Sequence, residues 1–146
     1  MKNLLFLIAL TGLLNFTFAQ NKCPEATEEN YKKVMSSAFA KDYEKCPVII
    51  VAEYFGDGYL KNYRKPSKIK NMYFFQCVNV GDNGRQDPAT NETSGDFFVI
   101  DKSLANEVVD LKKGDKLKLT GTTFTQNYLG TNLNIFFIVN KVEIIQ

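Results

Sequence analysis

Five short runs of apolar, β-branched and aromatic residues, each bounded by turn-forming residues, dominate the pattern of this 146-residue chain. VIIVAEYF (48–55) runs into Gly56-Asp57-Gly58, and MYFFQCVNV (72–80) closes on Gly81-Asp82-Asn83-Gly84. DFFVID (96–101), KLKLTGTTF (116–124) and IFFIVNKVEII (135–145) complete the set, all read as strands. Between the third and fourth, SLANEVVDL (103–111) places Leu104, Val108 and Leu111 on one face behind a capping Ser103, which predicts a short helix. Ahead of the first strand, Tyr31, Val34, Met35, Ala38 and Phe39 recur at helical spacing. Pro24 and Thr27 give start signals, with Glu25, Glu28 and Glu29 near the positive end, so a helix is predicted over 25–40, its apolar face packed on the rest of the chain. The polar stretch DNGRQDPATNETSG (82–95) reads as a long mobile loop, and TQNYLGTNLN (125–134) as the loop before the last strand.

Three strands, a short helix and two strands is the order of elements in the five-stranded OB-fold barrel. LKKGDKLKLTGT resembles the helix-to-fourth-strand turn of many such barrels, in which a Gly-Asp turn feeds an alternating strand that ends in Gly. With AKDYEKCPVIIVAEY entering the first strand and FFIVNKVEII ending the last, the chain is similar over about residues 40–146 to the exported bacterial OB-fold families known as tRNA-anti-like and BOF. The resemblance implies a mainly β fold, a Greek-key barrel with a short helix between strands three and four, here preceded by an amphipathic helix. The expected organisation is a signal peptide over 1–19, a helical segment over 20–45 and the barrel over 46–146.

The ends and composition bound the setting. MKNLLFLIALTGLLNFTFAQ has a basic start, an apolar run from Leu4 to Leu14 and the small-residue pattern Thr17-Phe18-Ala19, the layout of a secretory signal cut after Ala19. A periplasmic or secreted product of 127 residues follows, with 17 basic against 16 acidic side chains. A net charge of +1 gives no long-range attraction to polyanions, so any electrostatic function has to be local. Cys23 and Cys46 flank the predicted helix and are placed to form a disulfide, leaving Cys77 as a buried thiol; a Cys46–Cys77 bridge is the competing arrangement.

The candidate chemistry concentrates in YLKNYRKPSKIKNMYFF (59–75), where no acid occurs between Asp57 and Asp82. In the barrel reading, 56–71 joins strands one and two and 125–134 joins strands four and five, the two loops that flank the ligand face of strands two and three. Lys61, Arg64, Lys65, Lys68 and Lys70 are the candidates for contacting negative charge, and Tyr59, Tyr63, Tyr73 and Tyr128 for stacking on planar groups, with Phe124 beside them. Single-stranded nucleic acid or an acidic oligosaccharide is the ligand expected, with no cofactor. Tyr73, Phe74 and Phe75 must alternate across a strand, so at least one belongs to the core.

Catalysis finds little support. The chain lacks histidine, the commonest general base and zinc ligand, and its three cysteines make no zinc motif. A calcium-dependent nuclease would require Arg64 and Arg85 to converge with acids such as Asp87 and Glu92, whose spacing does not follow the known motif. Asp82, Asn83 and Asp87 lack the alternation of a calcium loop. Asn91-Glu92-Thr93 matches a glycosylation acceptor and is assigned no role. From a different class, a protein-interaction module whose partner covers a barrel face is the alternative to an anion-binding site.

Overall fold

The computed structural model describes residues 23–58, 66–128 and 132–145. Five strands close into a barrel: β1 (Val48–Asp57), β2 (Met72–Val78), β5 (Asp96–Asp101), β6 (Lys116–Tyr128) and β7 (Asn132–Ile145), in the spatial order β1-β2-β5-β7-β6. Two further short strands, β3 (Arg85–Gln86) and β4 (Thr93–Ser94), stand apart from the barrel as a hairpin. Every neighbouring pair in the barrel is antiparallel except β5 and β7, which run parallel with Phe97 beside Phe136 and Ile100 beside Val139. That order is the OB-fold Greek key. The predicted strand over 96–101 is found at those residues, and the others agree at their centres.

Period-two alternation fills the barrel. Ile50, Ala52 and Tyr54 of β1, Phe75 and Cys77 of β2, Phe98 and Ile100 of β5, Leu117 and Leu119 of β6, and Phe137 and Val139 of β7 form one buried cluster. The connection from β5 to β6 is a 3-10 helix at Lys102–Glu107, shorter than the predicted 103–111, and it brings Val108 into the same cluster. The chain then turns at Gly114, whose φ of 97° belongs to the left-handed region, and the Gly114 N–H donates to the Tyr54 carbonyl at 2.9 Å. Gly121 sits at an irregularity in the β6–β7 register. A Cβ there would lie 2.1 Å from the Ile138 carbonyl oxygen, so only glycine lets β6 pass this close to β7.

The N-terminal segment departs from expectation. Instead of a helix over 25–40, residues 27–29 run beside β1: the Glu29 N–H donates to the Ile49 carbonyl at 2.8 Å and the Ile49 N–H to the Thr27 carbonyl at 2.9 Å, so the segment pairs with the start of β1. One α-helical turn, α1 (Tyr31–Val34), follows with Asn30 as its cap, and a 3-10 turn occupies Ala40–Tyr43. Tertiary pairing thus overrides local helical spacing, and the predicted apolar face is used only in part: because the helix stops after one turn, Ala38 and Phe39 are exposed. Tyr31, Val34, Met35 and Tyr43 join the barrel core, and the Tyr31 and Phe98 rings stack with centroids 6.1 Å apart.

The segment is held by more than packing. Thr123 Oγ1 of β6 donates to the Ala40 carbonyl, and the Thr125 N–H donates to Glu44 Oε1 at 3.0 Å. Cys23 and Cys46 form a disulfide with Cα atoms 5.3 Å apart. Cys77 is a buried free thiol whose pKa burial pushes well up, which excludes the Cys46–Cys77 alternative.

Two loops are also shorter than predicted. Within 82–95, β3 pairs antiparallel with β4, and Asp87 and Asn91 close the hairpin tip. Most of 125–134 is strand, since β6 reaches Tyr128 and β7 begins at Asn132. Among the described residues no helix is long and apolar enough to cross a membrane.

Candidate functional site

β2, β5 and the start of β7 are apolar on both faces. Residues of inward parity enter the core, and those of the opposite parity build a second cluster on the outside: Phe74 of β2, Val99 of β5 and Phe136 of β7, with Met72, Phe97, Phe124 and Ile138 packed against them. Strand register sets the geometry. Phe97 lies beside Phe136 and Phe136 beside Phe124, so three rings cross β5, β7 and β6 in one row, with centroids 5.9 and 6.2 Å apart. Phe74 meets Phe136 edge-on at 6.4 Å from the neighbouring row, a favoured aromatic arrangement.

Residues 66–71 fold across this platform. Pro66 is buried, and a 3-10 turn at Ser67–Ile69 drives Ile69, fully buried, into the outer cluster. Residue 68 is thereby held outward, and its Nζ stands 4.8 Å from the centroid of the Phe124 ring. A cation over an aromatic face is attracted by the ring quadrupole. Lys70, one residue beyond Ile69, is exposed. Phe74 and Phe136 are covered, whereas Phe97 and Phe124 remain half-buried at the rim beside Lys68.

The candidate residues divide accordingly. Tyr59, Lys61, Tyr63, Arg64 and Lys65 lie outside the described residues, and of Tyr128 only the backbone, ending β6, is described. Lys68 and Phe124 meet on the outer face. Tyr73 has the inward parity of β2 and joins the edge of the core cluster; its hydroxyl donates to Asp57 Oδ1 at 2.7 Å, and the Tyr54 hydroxyl donates to the same oxygen at 2.9 Å. Burial first, then the bond to Asp57, push the Tyr73 phenol up to about 12. Tyr73 therefore braces the end of β1 and does not share the platform with Lys68. Phe74, Phe97 and Phe136 are not among the candidates that the sequence suggests. The Phe-Phe doublets at 74–75, 97–98 and 136–137 are their signal, each giving one ring to each face.

No protein-family model matches the chain, and no curated protein does. Among solved structures it is similar to yeast Stn1 and Ten1, at 14% identity and a TM-score of 0.46, over 83% of this chain and 82% of that one. It is also similar to a small single-stranded DNA-binding protein from Streptomyces coelicolor, at 13% identity and a TM-score of 0.40, over 68% and 93% of the two chains. A third likeness is to OBody NL8 bound to hen egg-white lysozyme, at 8% identity and a TM-score of 0.42, over 68% and 94%. The OB-fold itself follows from the strand order and register.

Of the residues a nuclease would require, Arg64 lies outside the described residues, and Arg85 and Asp87 have their own contacts. Arg85 faces Asp96, whereas Asp87 Oδ1 accepts the Ala89 N–H at 2.8 Å within its own turn. Asp82 is 3.2 Å from Lys32 Nζ. Among the described residues no three acidic or cysteine side chains gather around a common point where a metal would sit.

Proposed function

We propose that this chain is an exported binding protein without catalysis, and that its ligand lies across the outer face of β2, β5, β7 and β6. The ligand class is an anionic chain that carries planar groups, with single-stranded nucleic acid ahead of an acidic oligosaccharide. One observation carries the reading: Lys68 stands over Phe124 at the open edge of a row of phenylalanines. Bases or sugar rings find flat apolar faces at Phe97 and Phe124, and the Lys68 and Lys70 ammonium groups contact the linking phosphates or carboxylates. Lys61, Arg64 and Lys65 precede them in the sequence of the same β1–β2 connection and lie outside the described residues. Export is supported by the Cys23–Cys46 disulfide, a bond that persists in oxidising compartments.

Fluorescence anisotropy of the mature chain against labelled oligothymidylate and a labelled acidic polysaccharide, each across a salt series, tests this. Binding should weaken as salt rises. Lys68→Ala should lower the magnitude of the log-log salt slope by about one, the share that a single cation paired with a phosphate supplies. Failure to bind either probe at low salt overturns the reading.

A further inference from the structure

A cleft of about 560 Å³, lined by none of the outer-cluster residues, lies between α1 and the connection from β2 to β5. That size falls within the roughly 300–1,000 Å³ of small-molecule sites. Its walls are charged in pairs. Lys32 Nζ lies 3.2 Å from Asp82 Oδ2 on one side, and Arg85 Nη2 lies 3.8 Å from Asp96 Oδ1 on the other. Two cations and two carboxylates cancel, so the cleft has no net charge with which to gather a polyion.

Its polar groups are nonetheless incompletely used. Asp96 Oδ2 accepts the Tyr31 hydroxyl at 2.9 Å, but 3.8 Å is too long for a hydrogen bond between Oδ1 and the guanidinium. Arg85 is 87% exposed, and its remaining N–H groups face solvent. Ser36 Oγ is buried in the cleft wall with no hydrogen-bond partner among the described residues. A buried hydroxyl without a partner costs free energy unless something fills its bonding capacity.

We infer that this cleft is a second binding site, for a neutral polyhydroxylated ligand, namely one or two residues of an uncharged sugar. A hydroxyl is the group that both accepts and donates, so one sugar hydroxyl between Arg85 and Asp96 accepts from the guanidinium and donates to Oδ1, leaving neither charge unpaired. An ammonium ligand would satisfy Asp96 but face Arg85 and Lys32, and a carboxylate would meet the converse. The disulfide and the strand pairing of 27–29 fix α1 against the barrel, so Tyr31 and Ser36 are held in place before a ligand arrives.

Saturation-transfer NMR of the mature chain with glucose, galactose, mannose, N-acetylglucosamine, maltose and cellobiose, followed by titration of the strongest, tests the inference. At least one should give signal with an affinity that changes little from low to high salt. Arg85→Ala, at an exposed position, should weaken it by about tenfold or more, as expected for one charge-assisted hydrogen bond, and Lys68→Ala should leave it unchanged. No transfer to any of the six sugars overturns the inference, as does binding that survives Arg85→Ala or disappears with Lys68→Ala. Binding of an amino acid or alkylamine with none to the sugars also overturns it, in favour of a charged ligand. The oligothymidylate experiment is read on Lys68 and this one on Arg85, so either site can fail alone.

Discussion

The Tyr31 hydroxyl donates to the Asp96 carboxylate at 2.9 Å while also reaching the Cys77 carbonyl at 3.0 Å, and it joins α1 to β2 and β5 through one buried atom. Removing it strands both acceptors. Tyr31→Phe keeps the ring stacked on Phe98 and should cost about 1–3 kcal/mol, measured as a lower urea midpoint with an unchanged slope. An unchanged midpoint would show that water replaces the phenol without loss.

Asp96 gives the fold a pH signature. Burial raises its carboxyl above the ordinary range, opposed by the Tyr31 hydrogen bond and the Arg85 charge. A carboxyl raised in the folded state binds its proton more tightly there than in the unfolded chain. Its contribution is therefore fully present below the unfolded pKa and is lost as pH rises through the folded pKa. Asp96→Asn keeps an acceptor for Tyr31 and removes the titration. The variant should gain stability relative to the parent as pH rises out of the acid range, with the difference flat near neutrality; urea midpoints across pH give the comparison. A constant difference at every pH would remove Asp96 from the account.

The disulfide joins Cys23 to Cys46, 23 positions apart, and encloses all of α1 and the residues that pair with β1. Loop-closure entropy assigns such a bridge about 3 kcal/mol, and Cys23→Ser with Cys46→Ser should lower stability by about that amount. Limited proteolysis should then cut first ahead of Tyr31, because residues 27–29 would be held only by two backbone bonds to β1 and the side-chain contacts of Glu28 and Glu29. Equal cleavage rates with and without the bridge would contradict this.

At Gly121 the sheet leaves no room. Alanine would drive a methyl into the Ile138 carbonyl and the Phe137 ring, both backbone and core, so Gly121→Ala should cost about 3 kcal/mol or prevent folding. Urea midpoints of the variant and the parent give the comparison. Gly81, where a Cβ meets nothing within 4 Å, is the contrast for steric crowding.

Ile69 anchors the turn that presents Lys68. Ile69→Ala leaves a cavity over Phe74 and Phe136 and should cost about 2–5 kcal/mol. With the turn loosened, oligothymidylate binding should weaken by more than Lys68→Ala alone causes. Binding that strengthens would mean that residues 66–71 cover the ligand face instead of completing it.

The barrel is legible in the sequence because β-strands declare themselves by short runs between turns, and DFFVID is found at its predicted residues. The N-terminal helix is overpredicted because Tyr31, Val34 and Met35 have helical spacing that one turn suffices to produce, while the preceding residues find a partner in Ile49 that no local rule reveals. The phenylalanine platform is hidden for another reason. A strand with one wet face alternates, but β2 and β5 are apolar on both, and MYFFQCV and DFFVID read simply as buried. The tyrosines carry the stacking expectation instead, and Tyr73 points inward. Arg85 and Asp96 are eleven residues apart in what reads as one loop and the next strand, and only the β3–β4 hairpin brings them together.

The most direct measurement is the ¹⁵N–¹H spectrum of the mature chain during titration with oligothymidylate. Shifts concentrated at Phe97, Phe124, Phe136 and residues 66–71, with the cleft around Tyr31 and Arg85 unmoved, are the expected result. Saturable shifts confined to other surfaces, or none at all, would contradict the outer aromatic face as the binding site.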